Sequence, residues 1–222
     1  MADWFTGTGA VLAALASGDS WTITQAMREP AVWPLGLIAM LALAAALVAV
    51  YAFSPWVERN LEAAVMVVSY LSIGGIIFVE VVRRFVFEVQ APWSTTLPPF
   101  LFLIMTWFGC SYNVKLRTHL AFAEFRNAMP RAGQMACLVL DAALWTGFSW
   151  VVFVTALRVA ANSATNFQIM LGTDNVMQWW FLMSVPIAFV LLVARVIENL
   201  MIDIRRYREG ETLIEQAVIG AD

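Results

Sequence analysis

Residues 31–53 read AVWPLGLIAMLALAAALVAVYAF, a run without a single Asp, Glu, Lys or Arg. A helix needs about 20 mostly apolar residues to cross a hydrocarbon layer ~30 Å thick. Working outward, four more apolar runs follow at 61–82, 97–113, 134–157 and 176–200. The run at 97–113 is short and needs the flanking Trp93 or His119 region to reach both interfaces. The expectation is an all-α integral membrane protein, a bundle of five transmembrane helices with short amphipathic interfacial segments. The transmembrane domain should cover 31–204, with a cytoplasmic tail at 205–222.

Composition agrees with a bilayer. The chain is 61% hydrophobic and 13% charged, with mean hydropathy +0.76, where soluble domains carry about 25% charged residues. No basic patch lies outside the membrane-flanking segments, so nucleic acid is excluded as a partner.

The loops set an orientation. Arg59, then Lys115, Arg117, Arg126 and Arg131, then Arg205, Arg206 and Arg208 fall on one side. Arg28, the Arg83–Arg84 pair and Arg158 fall on the other. Positive charge collects on the cytoplasmic side, which predicts the N-terminus outside and the C-terminus inside. Arg83–Arg84 runs against the trend, which suggests a specific job for it.

Residues 1–30 lack the positive start and the 7–15-residue apolar core of a cleavable signal peptide. Trp4, Phe5, Leu12, Leu15 and Trp21 suit a segment on the outer membrane face; a disordered leader fits equally. Cys110 and Cys137 lie near the cytoplasmic ends of the third and fourth runs, where free thiols are expected. The only histidine is His119. It cannot supply bis-His haem ligation, and no CxxC, HExxH or Walker-type spacing is present. No cofactor, metal or catalytic site is expected. A redox-anchor subunit is disfavoured for the same reason, while an anchor or assembly subunit of another membrane complex stays open.

Ionisable groups within spans are costly and often functional. Glu62 and Glu80 mark the two ends of the second run, Asp141 lies inside the fourth, and Arg195 and Glu198 lie late in the fifth. Glu62 and Glu198 read as ordinary interfacial residues. Asp141 and Arg195 each lie ~12 Å along their helices from the same side, so they are expected to pair across the bundle. Glu198, three residues after Arg195, competes for it. Gly74–Gly75 reads as a small-residue patch for close helix packing, and Pro186 predicts a kink.

Residues 78–130, FVEVVRRFVFEVQAPWSTTLPPFLFLIMTWFGCSYNVKLRTHLAFAEFRNAMP, resemble the small membrane subunit of TRAP transporters, the DctQ family. The resemblance rests on Arg84-Phe85-Val86-Phe87 ending one span, Trp93 opening the next, and Gly109, Lys115 and His119 closing it. Pro186 and Arg195 in the last span also fit, so the likeness covers spans two to five. Ser94-Thr95-Thr96 stands where the family has an acidic pair, and Ala123 where it often has an Asp. The first span is additional to the family's four.

The resemblance implies a small scaffold subunit of a sodium-coupled, binding-protein-dependent importer of organic acids in a bacterial inner membrane. It implies two protein partners: a large elevator-type permease subunit carrying the substrate and sodium sites, and a periplasmic substrate-binding protein. Phospholipids are further partners, since Trp33, Trp56, Trp93, Trp179 and Trp180 suit interfaces and basic loops grip anionic headgroups. Arg84 and Trp93 are expected to anchor the outer end, and Lys115, Arg117 and His119 to form a cytoplasmic interfacial cluster.

Overall fold

The computed structural model describes residues 2–117, 126 and 128–213, with side chains from residue 7 onward. Two short helices come first, α1 (Ala2–Ser17) and α2 (Ser20–Ala26). The long helices α3 (Val32–Phe53), α4 (Pro55–Val86), α5 (Leu97–Leu116) and α6 (Arg131–Thr165) follow. A short α7 (Gln178–Leu182) then leads into α8 (Ser184–Glu209). Among the described residues, all regular structure is helical apart from one isolated bridge between Ile169 and Met177.

Among the described residues, five segments are long and apolar enough to cross a membrane: Val32–Phe53, Pro55–Val86, Pro92–Leu116, Arg131–Thr165 and Gln178–Glu209. This is the expected all-α, five-span membrane protein. Every backbone polar group in hydrocarbon must be satisfied within the protein, which helices achieve by themselves. The short third run reaches its length through Trp93: a 3-10 turn at Pro92–Thr95 continues into α5.

Prolines mark several boundaries. Pro55 sits at the first position of α4, where its missing N–H costs nothing. Pro186 lies in the first turn of α8. The expected kink is therefore a break at Met183 between α7 and α8, because a proline cannot bond the carbonyl four residues back.

α8 is the centre of the bundle. In its most apolar window 61% of residues are buried, against 6% in α4. α3, α5 and α6 surround it, and α4 packs chiefly on α5. Lipid is as apolar as leucine, so helix association here rests on close packing and polar contacts. Phe189 of α8 meets Trp107 at 4.9 Å and Phe148 at 5.8 Å between ring centroids. α3 approaches α6 so closely at Gly36 that a Cβ there would stand 2.5 Å from Val154 Cγ2. Gly74 and Gly75 differ from expectation: a Cβ on either would meet nothing within 4 Å, so no described helix of this chain uses that patch. Cys110 and Cys137 are free thiols.

Alternating helix directions gather the end of α3, the start of α4, the end of α5, the start of α6 and the last turns of α8 at one end. This is the C-terminal end of the bundle; the start of α3 marks the N-terminal end.

Candidate functional site

The first two turns of α4 carry Glu58 and Glu62, four residues apart and so on one helix face. Arg195, Glu198, Asn199 and Asp203 follow the same spacing along α8. Both faces meet at the C-terminal end. Arg195 Nε donates to Glu62 Oε1 at 2.6 Å and Nη2 to Glu62 Oε2 at 2.9 Å, a bidentate pair. Nη1 donates to Glu198 Oε2 at 2.7 Å and Glu58 Oε1 at 3.3 Å. Nη2 also donates to the Glu58 carbonyl. A guanidinium has five N–H donors, and five acceptor contacts surround this one. The Tyr51 ring of α3 lies 4.1 Å from the guanidinium carbon. Arg195 is 1% exposed and Glu62 0%.

Two cations from the end of α5 extend the network. Lys115 Nζ bridges the Glu58 carboxylate at 3.1 Å and the carbonyls of Glu58 and Arg59. Arg117, in the left-handed conformation that ends α5, donates to Asp203 Oδ1 at 2.7 Å and the Asn199 carbonyl at 3.0 Å. Asn199 Nδ2 in turn donates to the Val114 carbonyl at 2.8 Å. That carbonyl is in the last turn of α5, where it also accepts from the Arg117 N–H at 3.2 Å. The arrangement bonds α4, α5 and α8 to one another at one depth. Removing one partner of such a buried pair leaves an uncompensated charge, which costs far more than the pair contributes net.

The expected Asp141–Arg195 pair is not formed. Asp141 pairs instead with Arg126, and its side chain is 40% exposed. Matching depths along two helices carry no information about the direction each residue faces. The second reason lies in α4, which begins at Pro55 rather than near residue 61. Glu62 is therefore two turns inside the helix and not at its mouth, and it supplies the counter-charge. Glu198 does meet Arg195 at i,i+3.

Lys115 and Arg117 are drawn toward α4 and α8 rather than standing free in a loop, with side chains 19% and 34% exposed. His119 lies outside the described residues. At the opposite end, Trp93 is half-buried in the 3-10 turn. Gly172 (φ +80°) backs onto it so closely that a Cβ would stand 2.4 Å from the Pro92 carbonyl carbon. Thr96 Oγ1 donates to the Leu171 carbonyl at 2.9 Å, and Glu80 Oε1 accepts from the Ala91 N–H at 2.9 Å. Arg84 is exposed in the last turn of α4.

Tyr51, Glu58, Asn199 and Asp203 belong to the network without having been expected from the sequence. The Glu58–Glu62 spacing, repeated by Asn199–Asp203, is the signal that could have found them. Among the described residues no group of three or more His, Cys, Asp or Glu side chains is placed to hold a metal ion.

Residues 73–206 match the family model described as tripartite ATP-independent periplasmic transporters, DctQ component. The match begins partway along α4, so α1, α2, α3 and the glutamates at the start of α4 precede it, while Lys115, Asp141, Arg195 and Glu198 fall within it. Comparison with curated proteins yields no match.

Proposed function

This chain belongs to the DctQ family of tripartite ATP-independent periplasmic transporters, and from that membership we propose that it is the static scaffold subunit of a sodium-coupled importer of organic acids. In this reading it holds a larger elevator-type permease subunit in a bacterial inner membrane, and a periplasmic binding protein delivers the solute. The observation that carries the scaffold role is the saturation of Arg195. Its donors go to Glu58, Glu62 and Glu198, so its buried charge joins helices and offers nothing to a solute.

The basic residues near the C-terminal end support an N-out, C-in orientation. Lys115 and Arg117 then hold the network at the cytoplasmic boundary, with His119 next to them in sequence. Exposed Arg84 and interfacial Trp93 fit the outer boundary, where a lipid phosphate or a partner carboxylate would take the guanidinium.

Affinity purification of the tagged chain from its native membrane tests the reading. A larger multi-spanning protein should co-purify in fixed proportion. Recovery of the chain alone, or with a haem-containing complex, would overturn it. Reporter fusions at Gly18 and Gly220 should report opposite compartments; the same compartment for both would refute the orientation.

A further inference from the structure

The first 30 residues precede the family match and are not absorbed by the ion network. Their placement is unusual. α1 has 16 residues, about 24 Å of helix and short of the ~20 residues a crossing needs. Two points along this stretch are fixed against span ends. A Cβ on Gly7 would sit 3.2 Å from Ala31 Cβ, one residue before α3 begins. The Ser20 carbonyl accepts from Thr165 Oγ1 at 2.7 Å, and Thr165 is the last residue of α6. Thr24 Oγ1 shares a second hydrogen bond with Thr165 Oγ1 at 2.6 Å. The start of α3 and the end of α6 lie on the same side of the bundle. Gly7, in the second turn of α1, and Ser20, three residues past its end, both lie at that side, so the helix between them runs along the boundary and does not cross it.

The two faces of α1 are both apolar. Val11 and Ala14 are buried, with Val11 packed in the cluster that includes Met27 and Val32. Leu12 and Leu15 point away from it, 57% and 48% exposed, and Trp21 at the start of α2 is 62% exposed. No charge occurs between Asp3 and Asp19. The next charged group after Asp3 stands at the turn after α1: Asp19 caps α2 by accepting from the Thr22 N–H at 2.9 Å. The Thr22 hydrogen bonds hold the Asp19 carboxyl below its ordinary range. A charge-free outward face, at the depth of the first turn of a membrane-crossing helix, matches hydrocarbon and headgroup boundary rather than water.

We propose that α1 is an in-plane membrane anchor, with Leu12, Leu15 and Trp21 seated in the lipid interface and the Ser20–Thr24–Thr165 hydroxyl cluster fastening it to α6. This rests on the five-span bundle and not on the transport role. It gives the N-terminal end a grip parallel to the membrane in addition to the crossing helices.

Spin labels placed by Leu12→Cys, Leu15→Cys and Arg28→Cys in a Cys110→Ser, Cys137→Ser background test it. The full chain is reconstituted in vesicles of phosphatidylethanolamine and phosphatidylglycerol, alone and with its co-purifying subunit. Labels at 12 and 15 should relax faster with lipid-soluble oxygen than with a water-soluble nickel complex in both samples, and the label at 28 should show the reverse. Greater access to nickel at 12 and 15 would place α1 in water and overturn the proposal. Shielding of both positions from both reagents in the assembled sample would overturn it as well, by showing that protein and not lipid covers α1.

Discussion

At the C-terminal end, α4, α5 and α8 meet through Arg195, Lys115 and Arg117, with Glu58, Glu62, Glu198 and Asp203 as counter-charges. At the N-terminal end the contacts are of another kind. Trp150 Nε1 donates to the Trp33 carbonyl at 2.6 Å, Arg158 stacks 5.0 Å from the Trp33 ring, and Thr24 meets Thr165. The loop before α7 is held by backbone turns, with the Met170 N–H bonded to the Val176 carbonyl at 2.8 Å. One end is fixed by charges that lose everything if unpaired. The other is fixed by hydroxyls, ring edges, close backbone approach and two single charges, Glu80 on the Ala91 N–H and Arg158 over Trp33, none of them in a buried ion pair among the described residues. A subunit built this way has one end whose helix register is strongly specified and one that tolerates change.

The sharpest way to break this contrast is at Glu62. Glu62→Ala should cost up to about 3–5 kcal/mol, because it takes the bidentate, fully buried counter-charge from Arg195 and leaves only the more exposed Glu58 and Glu198. Thermal unfolding of the purified chain in detergent measures the loss. Glu62→Leu combined with Arg195→Met should recover much of it, since buried pairs replaced together by apolar residues are often near neutral. If the double replacement were no better than Glu62→Ala, stranded charge would not be the cause.

The largest effect at the other end should come from Gly172. Any side chain there meets the Pro92–Trp93 backbone and must also adopt φ +80°. Gly172→Ala should cost about 1–3 kcal/mol, and its damage should be local. Proteolysis in the 166–177 loop should accelerate while cleavage at the C-terminal end stays unchanged. Faster cleavage at both ends would mean the two regions are not independent.

Asp141 should matter less. Its partner Arg126 is a partly exposed cation, and such pairs contribute about 0–1 kcal/mol. In a double-mutant cycle, Asp141→Asn and Arg195→Gln should add. Coupling between them would contradict the pairing of Asp141 with Arg126. Smallest of all, Arg84→Ala should leave the stability of the isolated chain within about 0.5 kcal/mol, yet weaken the assembled complex more than Arg28→Ala does. Equal effects of the two on assembly would remove any special role for Arg84.

The five crossings are legible in the sequence because length and apolarity dominate insertion, and residues 31–53 leave no room for another reading. The family is legible from the order of Arg84, Trp93, Gly109 and Pro186. The site is legible only in part. Arg195 stands out as a charge in an apolar run, and Glu198 as its neighbour on the same helix. Glu62 is hidden because hydropathy places a helix start where apolar residues begin, whereas α4 starts several residues earlier at Pro55. Asp141 misleads because depth along a helix can be counted from sequence and azimuth between helices cannot. Gly74–Gly75 shows the same limit: small residues mark where a helix could pack, not whether one does.

A scaffold subunit supports transport without performing it. Sodium-gradient-driven uptake of organic acids, with the binding protein present, should be measured in three vesicle populations: this chain alone, the large subunit alone, and both together. Uptake is expected only when both are present. Uptake by this chain alone, or undiminished uptake by the large subunit without it, would contradict the scaffold role.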